Sequence, residues 1–151
     1  MVKYEMENLL LAWYGGNYMG SYISGGLNPE SDEADRYAKE KYESIRKQTT
    51  DCVKISNNTG LSLEIVSLIK GYICHCRHIL PDGYGYFSPS YEMAESWKRL
   101  SSSKESIQPH DITLLKHEAT EIGFILQGFN QSVAHDKASK LYNYHGESNN
   151  F

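Results

Sequence analysis

One stretch, residues 111–128, constrains the fold more than any other part of the chain, because its helical pattern is apolar on two faces at once. At about 100° per residue, Ile112, Leu115, Ala119, Ile122 and Leu126 form one stripe, and Leu114, Phe124, Ile125 and Gly128 gather roughly opposite. Only a narrow polar edge at Thr113, Lys116 and Thr120 is left for solvent. A helix apolar nearly all round belongs at the centre of a bundle, so the expected fold is all-α: a single compact multi-helix domain around this central buried helix. Pro109 suits its first position, and Asp111 places a carboxylate at the positive end of its dipole.

The same helix carries His117 and Glu121 inside its second face, one turn apart, so the two side chains can converge on one proton, one water or one ion. Ionisable groups on a central helix cost free energy unless something compensates them, which makes the pair a candidate site. The string from His117 through Glu118 to Glu121 has the form H-E-x-x-E, one ligand away from the H-E-x-x-H of zinc peptidases, with a carboxylate in place of the second imidazole. Glu118 lies toward the boundary of that face. His135, at the edge of the apolar face of the last helix beside Ala138 and Tyr142, supplies a third group. A His/Glu/His set satisfies a divalent metal, or without metal serves as an acid and base pair across a scissile bond. A hydrogen-bonded His/Glu pair in a core is the plain structural alternative, and the spacing separates none of the three.

The remaining helices are punctuated by capping residues. Ser31 opens a segment in which Ala34, Tyr37, Ala38, Tyr42 and Ile45 recur at helical spacing. Two further pieces meet at residues 57–60, where Asn57, Asn58 and Gly60 tolerate a left-handed helix end, and Ser62 caps the second. That junction also has the outline of a helix-turn-helix DNA reader, but Leu63, Ile65, Val66, Leu68 and Ile69 leave mainly Glu64, Ser67 and Lys70 to meet a polyanion. A packed helical hairpin is the better reading. Residues 78–89 read as a structured loop built on Pro81, Asp82, Gly83 and Gly85, with no strand pair. Ser90 caps a short helix with Met93, Trp97 and Leu100 on one face, broken at Ser101, Ser102 and Ser103. The last helix spans roughly residues 130–142. The chain thus divides into an N-terminal helix and Gly/Tyr-rich connector (residues 1–28), a helical core (29–145) and a frayed tail (146–151).

A second ligand-rich cluster, Cys74, His75, Cys76 and His78, has poorer geometry, since only Cys74 and His78 share a helical face and no C-x-x-C knuckle accompanies them. With Cys52 the chain has three cysteines, an odd number without a disulfide-type spacing, which suits free thiols and a cytoplasmic setting. The apolar run from Leu9 to Trp13 is too short to span a membrane, and Lys3, Glu5, Glu7 and Asn8 interrupt what precedes it. At a formal charge of −4 over 151 residues, nothing sequence-wide attracts phosphate backbones, so a nucleic-acid partner is not expected. Lys98/Arg99 and Arg46/Lys47 read as solvated surface pairs.

Phe87, Ser88 and Pro89, then Ala94, Trp97, Lys98, Arg99 and Leu100, then Asp111, Leu114, Leu115, His117, Glu118 and Glu121, then Ala134, His135, Ala138, Tyr142 and Asn143 form an order of residues that resembles a helical domain of bacterial polymorphic toxins, at the C-terminal ends of Rhs-type and related secreted or prophage proteins. The resemblance covers residues 54–144 and leaves 1–28 without a counterpart. It implies an effector tip delivered by a larger carrier protein into a bacterial cytoplasm, hydrolytic and paired with an immunity protein. The leading expectation is accordingly an effector- or toxin-like hydrolytic domain using His117, Glu121 and His135, with Glu118 in support. The alternative is a non-catalytic interaction module of prophage or secretion-associated origin that binds through its Tyr-rich loops.

Overall fold

A computed structural model describes residues 27–149; the N-terminal helix and connector expected before residue 27 lie outside them, as do residues 150 and 151. The elements run in the order α1 (Asp32–Lys47), α2 (Asp51–Thr59), α3 (Leu63–Lys70), a wide π-type turn (Gly71–His75), β1 (His78–Leu80), β2 (Gly83–Gly85), α4 (Tyr91–Ser102), a 3₁₀ turn (Lys104–Ser106), α5 (Pro109–Leu126), α6 (Gln131–Leu141) and α7 (Tyr144–Asn149). The fold is all-α with one small hairpin. No helix among the described residues is long and apolar enough to cross a membrane.

Local chemistry sets the boundaries. The Oγ of Ser31, Ser62 and Ser90 and the Oδ1 of Asn130 accept the third backbone N–H of α1, α3, α4 and α6, satisfying donors that a helix start leaves orphaned. Gly60 ends α2 at φ 80°, and Gly128 turns the chain after α5 at φ 99°, conformations that a Cβ would strain. At the head of α5, Pro109 occupies the first turn, and the Asp111 carboxylate accepts the Gln108 N–H at 2.8 Å.

α5 is the hub, packing on α3, α4, α6 and α7, with its largest interface on α6. Ile112, Leu115, Ala119 and Ile122 from its first stripe meet Ile55, Val66, Ile69, Trp97 and Leu100 in one core. Each such side chain is worth about 1.5–3 kcal/mol of burial. The two-faced pattern holds for most of the helix and fails in its last turn: Leu126 is 61% exposed and Gly128 is exposed, while Phe124 and Ile125 are half-buried. That turn runs past the core, and the Phe124 ring instead meets Phe129 edge-on, with Lys137 over both rings.

Several expectations need correction. The loop at residues 78–89 contains an antiparallel pair, His78–Leu80 against Gly83–Gly85, around a turn at Pro81 and Asp82. Its facing residues Ile79 and Tyr84 are 83% and 70% exposed, so no buried face imprinted an alternation on the sequence. The expected frayed tail is the short helix α7, anchored by buried Tyr144, whose hydroxyl lies 2.8 Å from Ser96 Oγ. Arg99 is no solvated surface residue: it is largely buried and grips both carboxylate oxygens of Asp111 at 2.8 and 2.7 Å. Lys70, offered as a phosphate contact, is buried with its Nζ 2.9 Å from Asp51 and 2.8 Å from the Gln48 carbonyl, so the helix-turn-helix surface has lost its lysine.

Candidate functional site

Three elements converge below the C-terminal half of α5. α5 itself presents His117, Glu118 and Glu121; the reversal at Gly128 lays α6 alongside, bringing in His135 and Gln131; and the π-type turn after α3 delivers Tyr72 from the opposite flank. The i,i+4 spacing sets His117 Nε2 3.0 Å from Glu121 Oε2. His135 Nδ1 lies 3.1 Å from the same oxygen and 3.3 Å from His117 Nε2, so two imidazole nitrogens and one carboxylate oxygen form a nearly equilateral triangle. His117 and Glu121 are buried, whereas the His135 side chain is 52% exposed and marks the open side.

A second layer of hydrogen bonds fixes these groups. His117 Nδ1 lies 3.0 Å from the Tyr142 carbonyl, which only accepts, so Nδ1 donates to it and Nε2 is the nitrogen turned to Glu121. The other oxygen of Glu121 accepts from the Tyr72 hydroxyl at 2.5 Å and from Gln131 Nε2 at 3.1 Å. Tyr72 is held in turn, because His78 Nε2 meets its carbonyl at 2.8 Å and Phe87 stacks on the His78 ring.

The two glutamates of α5 titrate in opposite directions. Burial pushes the Glu121 carboxyl up, but hydrogen bonds from His117, His135, Tyr72 and Gln131 outweigh it and hold the group well below the usual carboxylate range. Glu118, buried one residue after His117, is pushed well above that range by burial and then by the Glu121 charge. Among the described residues it has no hydrogen bond or ion pair. The hydrogen bond to Glu121 raises His135 against the opposing effect of burial. Glu118, His117 and His135 all line one cavity of about 180 Å³, closed on its far side by Tyr144 and Ser148 of α7.

Of the four residues expected to act, the structure thus brings His117, Glu121 and His135 into mutual contact and sets Glu118 on the wall of the same cavity. Among the described residues this is the one group of three metal-ligating side chains within reach of a single ion. The Cys74/His75/Cys76/His78 cluster does not assemble: Cys74 is buried, His75 and Cys76 are exposed, and His78 is committed to the Tyr72 carbonyl. Three contributors went unseen in the sequence. Gln131 precedes His135 by one helical turn and was findable as its face-mate; Tyr72 and the Tyr142 carbonyl come from sequence-distant segments and leave no local signal. Comparison with known proteins gives no match at any level: no family model, no curated protein and no solved structure is similar to this chain.

Proposed function

We propose that His117 Nε2, Glu121 Oε2 and His135 Nδ1 bind one divalent metal ion, zinc by ligand type, as the centre of a hydrolytic site in which Glu118 acts as general base. The observation that carries this reading is the ligand triangle, with edges of 3.0, 3.1 and 3.3 Å. A tetrahedral ion with arms of about 2.0–2.1 Å sets its ligand atoms roughly 3.3–3.4 Å apart, so the three atoms are near the spacing they need. Support also comes from the outer layer: a histidine donating its other nitrogen to a carbonyl, and a ligating carboxylate tied by a tyrosine and a glutamine, are the partners that orient metal ligands. An acid and base pair made of His117 and His135 themselves, working across a bond without metal, would need room for that bond between them. At 3.3 Å there is none.

Three protein ligands leave a fourth position, and the cavity beside it is lined by Glu118. A divalent ion held there acidifies water to near neutral pH and polarises a substrate oxygen. Glu118, its proton affinity raised by burial, would take the proton of the attacking water as the new bond to carbon or phosphorus forms, and return it to the leaving group as that group's own bond to the carbon or phosphorus breaks. His135, on the exposed side, borders the approach. The biological setting we propose is the one the resemblance implies, a bacterial effector domain held in check by an immunity protein.

Elemental analysis of protein purified without added metal, followed by zinc titration of the EDTA-treated chain, tests the centre. One equivalent of metal per chain is expected, with affinity reduced at least about tenfold in His117→Ala and in Glu121→Gln. Equal zinc uptake by wild type and both variants would remove the site. Hydrolysis is tested separately with Glu118→Gln, which should keep the metal and lose turnover by about 10²–10⁴-fold; in a bacterial host the same variant should relieve any growth arrest that the wild type causes.

A further inference from the structure

A second cavity, of about 400 Å³, opens between α1, the start of α2 and α4, and shares no lining residue with the His/Glu/His cavity. Its rim carries three lysines from three helices: Lys41 of α1, Lys54 of α2 and Lys98 of α4. Among the described residues no carboxylate lines it. In a chain of net charge −4 that is a local reversal of sign, and none of the three lysines forms an ion pair among the described residues; Lys41 rests over the Tyr37 ring at 5.4 Å. Asp51, next to Thr50, is buried and already paired, accepting from Lys70 at 2.9 Å and from Trp97 Nε1 at 3.0 Å.

The floor adds a further attraction. Thr50 lines the cavity at the head of α2, and its side chain makes no capping hydrogen bond. The positive end of that helix and the Thr50 hydroxyl therefore lie beside the lysines, and Lys54 stands one turn along the same helix. Trp97 and Ile45 lie beneath, nearly fully buried, so the lysines and Thr50 make up most of what a ligand meets. A phosphate matches that lining, and the volume falls in the range of small-molecule sites, about 300–1,000 Å³.

We propose that this cavity binds a small phosphorylated molecule, with Lys41, Lys54 and Lys98 around the phosphate and Thr50 donating to it. The three lysines cluster about one depression, which favours a small ligand over a nucleic-acid strand, since a strand needs a continuous groove with charge along it. The site is separate from the metal-ligating triangle and stands whether or not that centre holds an ion.

Isothermal titration of the full chain with pyrophosphate, with adenosine diphosphate and with adenosine, all in EDTA and in the His117→Ala background so that the other site contributes nothing, decides the matter. The two phosphorylated probes should bind saturably at one site per chain and adenosine should not. Lys54→Gln combined with Lys98→Gln, both exposed positions, should weaken binding by about tenfold per lysine, and arginine at the same two positions should restore most of it. Absence of saturable binding, unchanged affinity in the glutamine double variant, or tight binding of a short single-stranded oligonucleotide but not of pyrophosphate would each overturn the proposal.

Discussion

Two buried carboxylates illustrate different uses of charge in one small molecule. Asp51, between α1 and α4, accepts from Lys70 and from the Trp97 indole, so its negative charge is met inside the protein by a positive one. Glu121, on α5, is held by two imidazoles, a tyrosine and a glutamine, with a second buried glutamate, Glu118, whose own ionisation it opposes. The first arrangement is closed and ties helices together. The second lacks a fixed cation and borders a cavity, and that imbalance separates a candidate site from a structural lock.

The contrast can be broken or sharpened by experiment. Asp51→Ala strands a buried ammonium, so it should cost about 3–5 kcal/mol in urea denaturation, and zinc should change that loss by nothing. A metal-dependent loss would erase the distinction between the two carboxylates. Zinc at about a hundred times its dissociation constant should raise the stability of the wild type by about 2.7 kcal/mol and, at the same concentration, that of His117→Ala by no more than about 1.4 kcal/mol. Next in size comes the contrast between the two ends of α5: Leu115→Ala, in the core, should cost about 2–5 kcal/mol, while Leu126→Ala, 61% exposed, should stay within about 0.5 kcal/mol.

The smallest effect carries the most specific sign. The folded-state pKa of Glu118 is raised, so its contribution to stability is whole below the unfolded carboxyl value and is lost as pH rises toward the folded one. In metal-free protein Glu118→Gln should therefore melt higher than wild type at pH 7.5, the advantage fading as pH falls toward about 4. Glu121 is depressed and runs the other way, contributing stability above the unfolded value that is lost on acidification. A Glu118→Gln protein that melts lower than wild type at pH 7.5 would show that carboxyl ionised and partnered instead.

Much of the helical frame was legible because its signals are local. Ser31, Ser62 and Ser90 cap the helices they were expected to open, Gly60 turns left-handed within the junction expected to allow it, and the spacing of His117 and Glu121 by itself favours their contact. What stayed hidden depends on tertiary partners. An arginine reads the same on paper whether water or Asp111 surrounds it, so Arg99 passed for surface. The Tyr72 hydroxyl reaches Glu121 across 49 positions through a π-type turn that no periodicity announces. The tail looked frayed because six residues with one buried tyrosine carry too little apolar pattern to register, yet Tyr144 against Ser96 suffices to fasten them.

The unequal exposure of the three ligands bears on how the centre would be loaded. His117 and Glu121 are set in place by the packed helix, while His135 stands half in water on α6. If the three groups hold an ion as proposed, two of its arms would be enclosed and one open to water, so the chain could fold first and collect its ion afterwards. Departure would begin at the outer imidazole, and small chelators would then strip the ion from an otherwise intact molecule within the lifetime of the native state.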